Sequence, residues 1–87
     1  MASYRIDIDR GAVKELAGLD KPIRVRLITA IDELAHNPRP AGCTKLVGTA
    51  NDWRIRVGDY RIIYEIHDTR LIVLVVRVAH RREVYRK

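Results

Sequence analysis

Tyr4, Ile6 and Ile8 alternate with Arg5 and Asp7, the period of two that gives a β-strand one apolar face. The run stops near Asp9 and Gly11, and Asp9 is suited to cap the segment that follows. From Ala12 to Leu19 the period changes: Val13, Leu16 and Leu19 recur at helical spacing until Gly18, Asp20 and Pro22 interrupt it. A second helix then opens with Asp20 as N-cap and Pro22 in its first turn. Ile23, Leu27, Ile31 and Leu34 form one apolar stripe along it, ending at Asn37-Pro38. The two segments predict a helical hairpin with one oily side.

Residues 37–52 hold two prolines and two glycines without a sustained period, and predict a connecting loop with at most a turn of structure around Lys45 to Val47. Beyond it Trp53, Ile55 and Val57 alternate with Arg54 and Arg56, Gly58-Asp59 makes a turn, and Tyr60, Ile62, Tyr64 and Ile66 alternate with Arg61, Ile63, Glu65 and His67. That is a β-hairpin. Asp68-Thr69 marks the next turn, and the Val-rich run from Leu71 to Ala79 predicts a central strand buried on both faces.

The order strand, helix, helix, three strands predicts an α+β fold, one domain over residues 1–87. In it the N-terminal strand joins a mostly antiparallel four-stranded sheet, and the helical hairpin packs on one face of that sheet. Strand alternation sends Trp53, Ile55, Val57, Tyr60, Ile62, Tyr64 and Ile66 toward the helices and leaves Arg54, Arg56 and Arg61 pointing away, on an open basic face. His80 to Lys87 reads as a basic tail, either a short helix or an extended arm.

Composition supports this reading: 47% hydrophobic and 32% charged residues, with five Gly and three Pro, describe an ordered chain with one core. Seventeen Lys and Arg against eleven Asp and Glu give a net charge of +6, which biases encounter toward nucleic acid, the ribosome or an acidic protein. The longest apolar stretch, Leu71 to Val76, is far short of a membrane span, and no signal pattern opens the chain. No membrane partner and a cytoplasmic location are expected. The single Cys43 reads as a small loop residue, and no cysteine or carboxylate cluster lies near His36, His67 or His80. No metal and no cofactor are expected.

Candidate chemistry gathers in the C-terminal half. Arg54, Arg56, Arg61, Arg81 and Tyr85 can be brought to one surface from three elements, and guanidinium groups grip phosphate with a fork that stays charged at cellular pH. The same arginines also read as the solvated face of a sheet in a basic protein. Trp53 and Tyr60 read as core more readily than as base-stacking platforms, on strand parity. His36 suits a helix end, and His67 reads as a turn residue meeting water. Arg77, inside the apolar strand, needs a partner or an edge, and could extend a phosphate-binding surface.

Lys45-Leu46, the run Trp53-Arg54-Ile55-Arg56-Val57-Gly58-Asp59-Tyr60-Arg61-Ile62-Ile63-Tyr64, and His80-Arg81-Arg82-Glu83-Val84-Tyr85 resemble the most recurrent pieces of RelE-type toxins. The order of elements matches as well, so the resemblance to the RelE/ParE superfamily of bacterial toxins covers essentially the whole chain. It implies the toxin of a type II toxin-antitoxin system, wrapped by a cognate acidic antitoxin. It also implies a metal-free endoribonuclease that enters the ribosomal A site and cuts mRNA within codons. By the same resemblance Arg61 contacts the scissile phosphate, Arg81 is a second catalytic arginine, and Tyr85 orients or stacks the base. Arg54 and Arg56 stand where RelE enzymes carry lysines, a departure from the pattern. ParE-type relatives share the fold, lack the nuclease set and poison DNA gyrase by protein binding. A plain RNA- or DNA-binding module has only the charge behind it.

Cleavage of this class directs the ribose 2′-hydroxyl at the adjacent phosphate, in line with the departing 5′-oxygen. It needs a base, stabilisation of the phosphorane charge, and help for the leaving oxygen. Arginine serves the second task well and the first badly, since its pKa is about 12.5 or higher. Arginine at 54 and 56 keeps a phosphate clamp and leaves the base open. His80, with an ordinary histidine pKa of about 6.5, is a candidate for it. It also reads as structural, since it follows the strand on the parity of Ile72, Leu74, Val76 and Val78. Glu83 ranks below it.

Overall fold

The computed structural model describes residues 3–80. Its elements are β1 (Arg5–Ile8), α1 (Arg10–Ala17), α2 (Lys21–Glu33), β2 (Thr44–Lys45), β3 (Asp52–Val57), β4 (Tyr60–His67) and β5 (Ile72–His80). Asp9 caps α1, its carboxylate accepting the Gly11 amide at 3.2 Å. Asp20 holds the N-cap position of α2 with Pro22 in the first turn, yet its side chain makes no capping hydrogen bond. Leu27, Ile31 and Leu34 of the predicted stripe are buried in and just after α2. On α1 the buried positions are Ala12 and Leu16, while Val13 is 49% exposed; a helix this short can turn a different arc inward than its largest side chains suggest.

Among the described residues the sheet has five strands, in the order β1-β5-β4-β3-β2. β1 runs parallel to β5 and the other neighbours are antiparallel. The extra strand corrects the expected count of four: Thr44 and Lys45 pair with Arg54 and Trp53, and two residues are too few to show a period. Gly58 turns β3 into β4 with a φ of +60°, the positive value that a two-residue hairpin with Gly at its first central position requires.

The inner faces of β3, β4 and β5 meet both helices in a single core of Ile55, Ile62, Tyr64, Ile66, Val73, Val75 and Val78 against Leu16, Leu27, Ile31 and Leu34. At about 25 cal/mol per Å2 of apolar area removed from water, this burial is the main force holding the layers together. The register of β5 shifts opposite Ile63 and Tyr64: Ile63 pairs with Arg77 and Tyr64 with Val75, so Val76 is an extra, bulged residue. The bulge corrects the expected parity, because Val73 and Val75 before it and Val78 after it all face the core. β5 is interior, as expected, but Ile72, Leu74 and Val76 on its other side are only half-buried.

Two polar ties hold the long connection. The fully buried Tyr64 hydroxyl donates to the Pro38 carbonyl at 2.7 Å, and burial pushes its pKa up. Arg39 forks onto Asp68 at 2.9 and 3.2 Å, and Tyr4 donates to the same carboxylate at 2.6 Å. The Arg39 and Tyr4 hydrogen bonds hold the Asp68 pKa down at about 2. Among the described residues no helix is long and apolar enough to cross a membrane.

Candidate nucleic-acid interface

Strand register decides which charged side chains share a surface. Arg56 lies opposite Arg61, which lies opposite Ala79; Arg54 lies opposite Ile63, which lies opposite Arg77. Directly paired residues project to the same side of a sheet. The register therefore collects Arg54, Arg56, Arg61 and Arg77 from three strands onto the face that the helices leave uncovered. Arg56 is exposed and Arg54 half-buried. Arg77 finds the partner that its place in an apolar strand demands: its Nε is 3.6 Å from Glu15 Oε2. Another oxygen of that carboxylate accepts the Val78 amide at 2.8 Å. Glu15, distant in sequence and alone on its helix, gave no signal of this role.

Arg61 departs from the expected picture. It projects to the arginine face but is only 7% exposed, so it does not stand on an open surface. Its Nη1 donates to the carbonyls of Tyr60 at 3.1 Å and Gly58 at 3.4 Å, while its buried Nε has no hydrogen-bond partner. Among the described residues no carboxylate pairs with it. A desolvated guanidinium tied only to carbonyl dipoles keeps its charge available to an anion that reaches it.

His80 points elsewhere. It pairs with Tyr60, its ring meeting the Tyr60 ring edge-on at 5.5 Å and 83°, and Tyr60 packs against the core. Its ring therefore lies on the helix side of the sheet, one strand position away from Arg61 and across the sheet from it. Arg81, Tyr85 and Glu83 lie outside the described residues. Trp53 is half-buried with the Arg39 guanidinium 5.0 Å from its ring centre, and both Trp53 and Tyr60 border the core.

The opposite end of the same face is acidic. Asp52 lies across from Glu65, and His67 closes β4 with its Nε2 2.8 Å from Glu65 Oε1. The expected turn residue meeting water is thus a strand residue with a carboxylate partner. Burial, and then Glu65, push the Asp52 pKa up. The face is graded, cationic toward the β3–β4 turn and anionic toward the β4–β5 turn. A groove of about 610 Å3 lies to one side between α2, the loop carrying Pro40 and Gly42, and the outer edge of β3. Of the candidate residues among those described, Arg56 alone lines it. The arginine face is therefore suited to a polymer laid across it rather than to an enclosed small molecule. Among the described residues no group of three His, Cys, Asp or Glu side chains is placed to hold a metal ion.

Comparison with known proteins finds relatives that match almost the whole chain. The mRNA interferase toxin RelE of Escherichia coli strain K12 is 31% identical over 87 residues, covering 95% of this chain and 90% of the relative. Toxin RelG of Mycobacterium tuberculosis is 33% identical over 85 residues, covering 97% of this chain and 98% of the relative. A chain of the archaeal RelE-RelB complex from Pyrococcus horikoshii superimposes with a TM-score of 0.81 at 31% identity, over 91% of this chain and 96% of that one. The family described as the ParE toxin of the type II toxin-antitoxin system parDE matches residues 6–85. With a match of that extent, the strand-helix-helix-sheet chain bearing this arginine face belongs to the ParE toxin family of type II toxin-antitoxin systems.

Proposed function

We propose that this chain is the toxin of a type II toxin-antitoxin system and acts in the cytoplasm as a metal-free endoribonuclease, cleaving mRNA in the ribosomal A site to arrest translation. The observation that carries the reading is the assembly of Arg54, Arg56 and Arg61 on one sheet face with the Arg61 guanidinium desolvated. The kinship with the mRNA interferase RelE supports the reaction type. The RelE-RelB complexes among its structural relatives support a cognate antitoxin as partner, and the net charge of +6 favours an acidic one.

In this reading the 2′-hydroxyl gives its proton to water as its oxygen attacks the adjacent phosphorus, the bond to the 5′-oxygen breaks with that oxygen taking a proton from water, and the charge that grows on the non-bridging oxygens falls to Arg61. A preorganised donor in a desolvated position is worth far more than one in water. Arg81 is the second stabilising cation and Tyr85 places the base. Arg54 and Arg56 hold backbone phosphates, and the acidic end of the face repels the strand, which keeps its path at the cationic end. His80, with its ring on Tyr60, is structural here, and catalysis rests on alignment and electrostatic stabilisation.

The second reading is a ParE-type inhibitor of DNA gyrase, favoured by the description of the matching family. Inducing the chain and mapping both nucleic acids separates the two. mRNA cut within codons is the expected result, and gyrase-linked DNA with intact mRNA would overturn the proposal.

A further inference from the structure

β1 covers β5 only as far as the pair Ile8 and Val75. Past that point β5 loses its neighbour and bulges at Val76, and it then carries Arg77 and Ala79 to the arginine face and Val78 and His80 to the core. A bulged strand without a second neighbour can slip, and a slip of one residue exchanges its faces. Here it would turn Arg77 and Ala79 inward and move the wall beside Arg61. Among the described residues α1 packs against β5, and its Glu15 reaches the strand just past the bulge. Glu15 accepts the Val78 amide at 2.8 Å and lies 3.6 Å from Arg77 Nε, so one carboxylate holds consecutive residues just after the bulge.

We propose that Glu15 is a positioning residue for the reaction of this toxin, pinning the register of β5 beyond its bulge so that Ala79 stays beside Arg61. Glu15 touches no reacting atom; it acts through the Val78 amide. The inference rests on the nuclease reading, since it assigns Glu15 to the cleavage step.

Two substitutions separate reach from charge. Glu15→Gln keeps the length and an oxygen acceptor but loses the charge; Glu15→Asp keeps the charge and draws the carboxylate back by one methylene. Cleavage kinetics on programmed ribosomes, run well below each variant's measured Tm, are set beside amide hydrogen exchange at Val78 in the free protein. Glu15→Asp should lower kcat by about 100-fold with little change in KM, the scale of a displaced reacting geometry. It should also deprotect the Val78 amide, while Glu15→Gln stays near wild type in both. Wild-type kcat in a folded Glu15→Asp protein overturns the proposal. So does a Glu15→Gln loss that Glu15→Asp does not share, which would assign the effect to the Arg77 charge pair. If the wild-type chain cleaves no mRNA, the nuclease reading and with it the catalytic assignment fall, whereas Val78 exchange still reports whether Glu15 holds the strand.

Discussion

Replacing Arg61 with Met tests the arginine face at its centre, because structure and reaction make opposite demands on that position. Methionine fills much of the space of the arginine stem without the charge. The change removes Nη1 hydrogen bonds to Tyr60 and Gly58 carbonyls at 3.1 and 3.4 Å, and hydrogen bonds to a charged group contribute about 1.5–3 kcal/mol. It also removes a buried Nε without a partner, a defect of about 1–3 kcal/mol. Beyond that it relieves the desolvation of a cation in a residue 7% exposed, a cost of several kcal/mol before any pairing. The two sides cancel to within about 2 kcal/mol, with the balance toward Met. A Tm unchanged or raised by up to about 15 °C follows for a domain of this size. Cleavage should fall by roughly 100- to 1,000-fold, the effect of deleting one preorganised transition-state donor. Thermal melting by circular dichroism and single-turnover cleavage on programmed ribosomes give the two numbers. A folded, fully active Arg61→Met protein removes Arg61 from the reaction, and a Tm loss beyond about 10 °C makes it a structural residue of the hairpin.

Arg54→Ala and Arg56→Ala should each weaken RNA or ribosome binding and flatten the slope of log affinity against log salt by roughly 0.7, the single-strand value for one phosphate contact. A titration across salt concentrations with an unchanged slope would show them to be surface charge only. His80→Gln should cleave like wild type with a flat profile over roughly pH 5.5 to 8, because the ring packs on Tyr60. A rising limb in wild type that the variant loses would make His80 the base. The Asp68 carboxyl sits at about 2 in the folded chain, below the ordinary value of about 3.9. The stability it contributes is therefore present above about pH 4 and lost as pH falls toward 2. Melting curves across that window should show a shallower acid decline in Asp68→Asn than in wild type, and parallel declines would disconnect Asp68 from the fold's acid sensitivity.

Long, strongly periodic segments were legible before the structure was known. The α2 stripe through Leu27, Ile31 and Leu34 and the β3–β4 hairpin with its Gly58 turn are set by local spacing and by one backbone angle. Three things were not legible, each for a physical reason. β2 is two residues long and exists only because β3 offers it an edge. The β5 bulge inserts one residue into an unbroken apolar run, where every position looks alike, and so hid the change of face between Val75 and Val78. Burial of Arg61 arises from neighbours in space: alternation correctly gave its side of the sheet but says nothing about depth. Thus the residues of the arginine face could be named from sequence, whereas their exposure, the Glu15 contact and the placement of the His80 ring required tertiary packing.

The parallel pairing of β1 with β5 also governs the order in which the molecule can assemble. Arg5 lies beside Ile72, and closing a loop of that length costs about 1–2 kcal/mol more entropy than closing one of ten residues. The β3-β4-β5 meander, by contrast, joins sequence neighbours through short turns, contacts that can form quickly and early. Residues 5–8 are made well before residues 72–75 and have no place to dock until those have followed. β1 is thus the strand that must wait, and the arginine face is framed by β3, β4 and β5 before β1 seals the far edge.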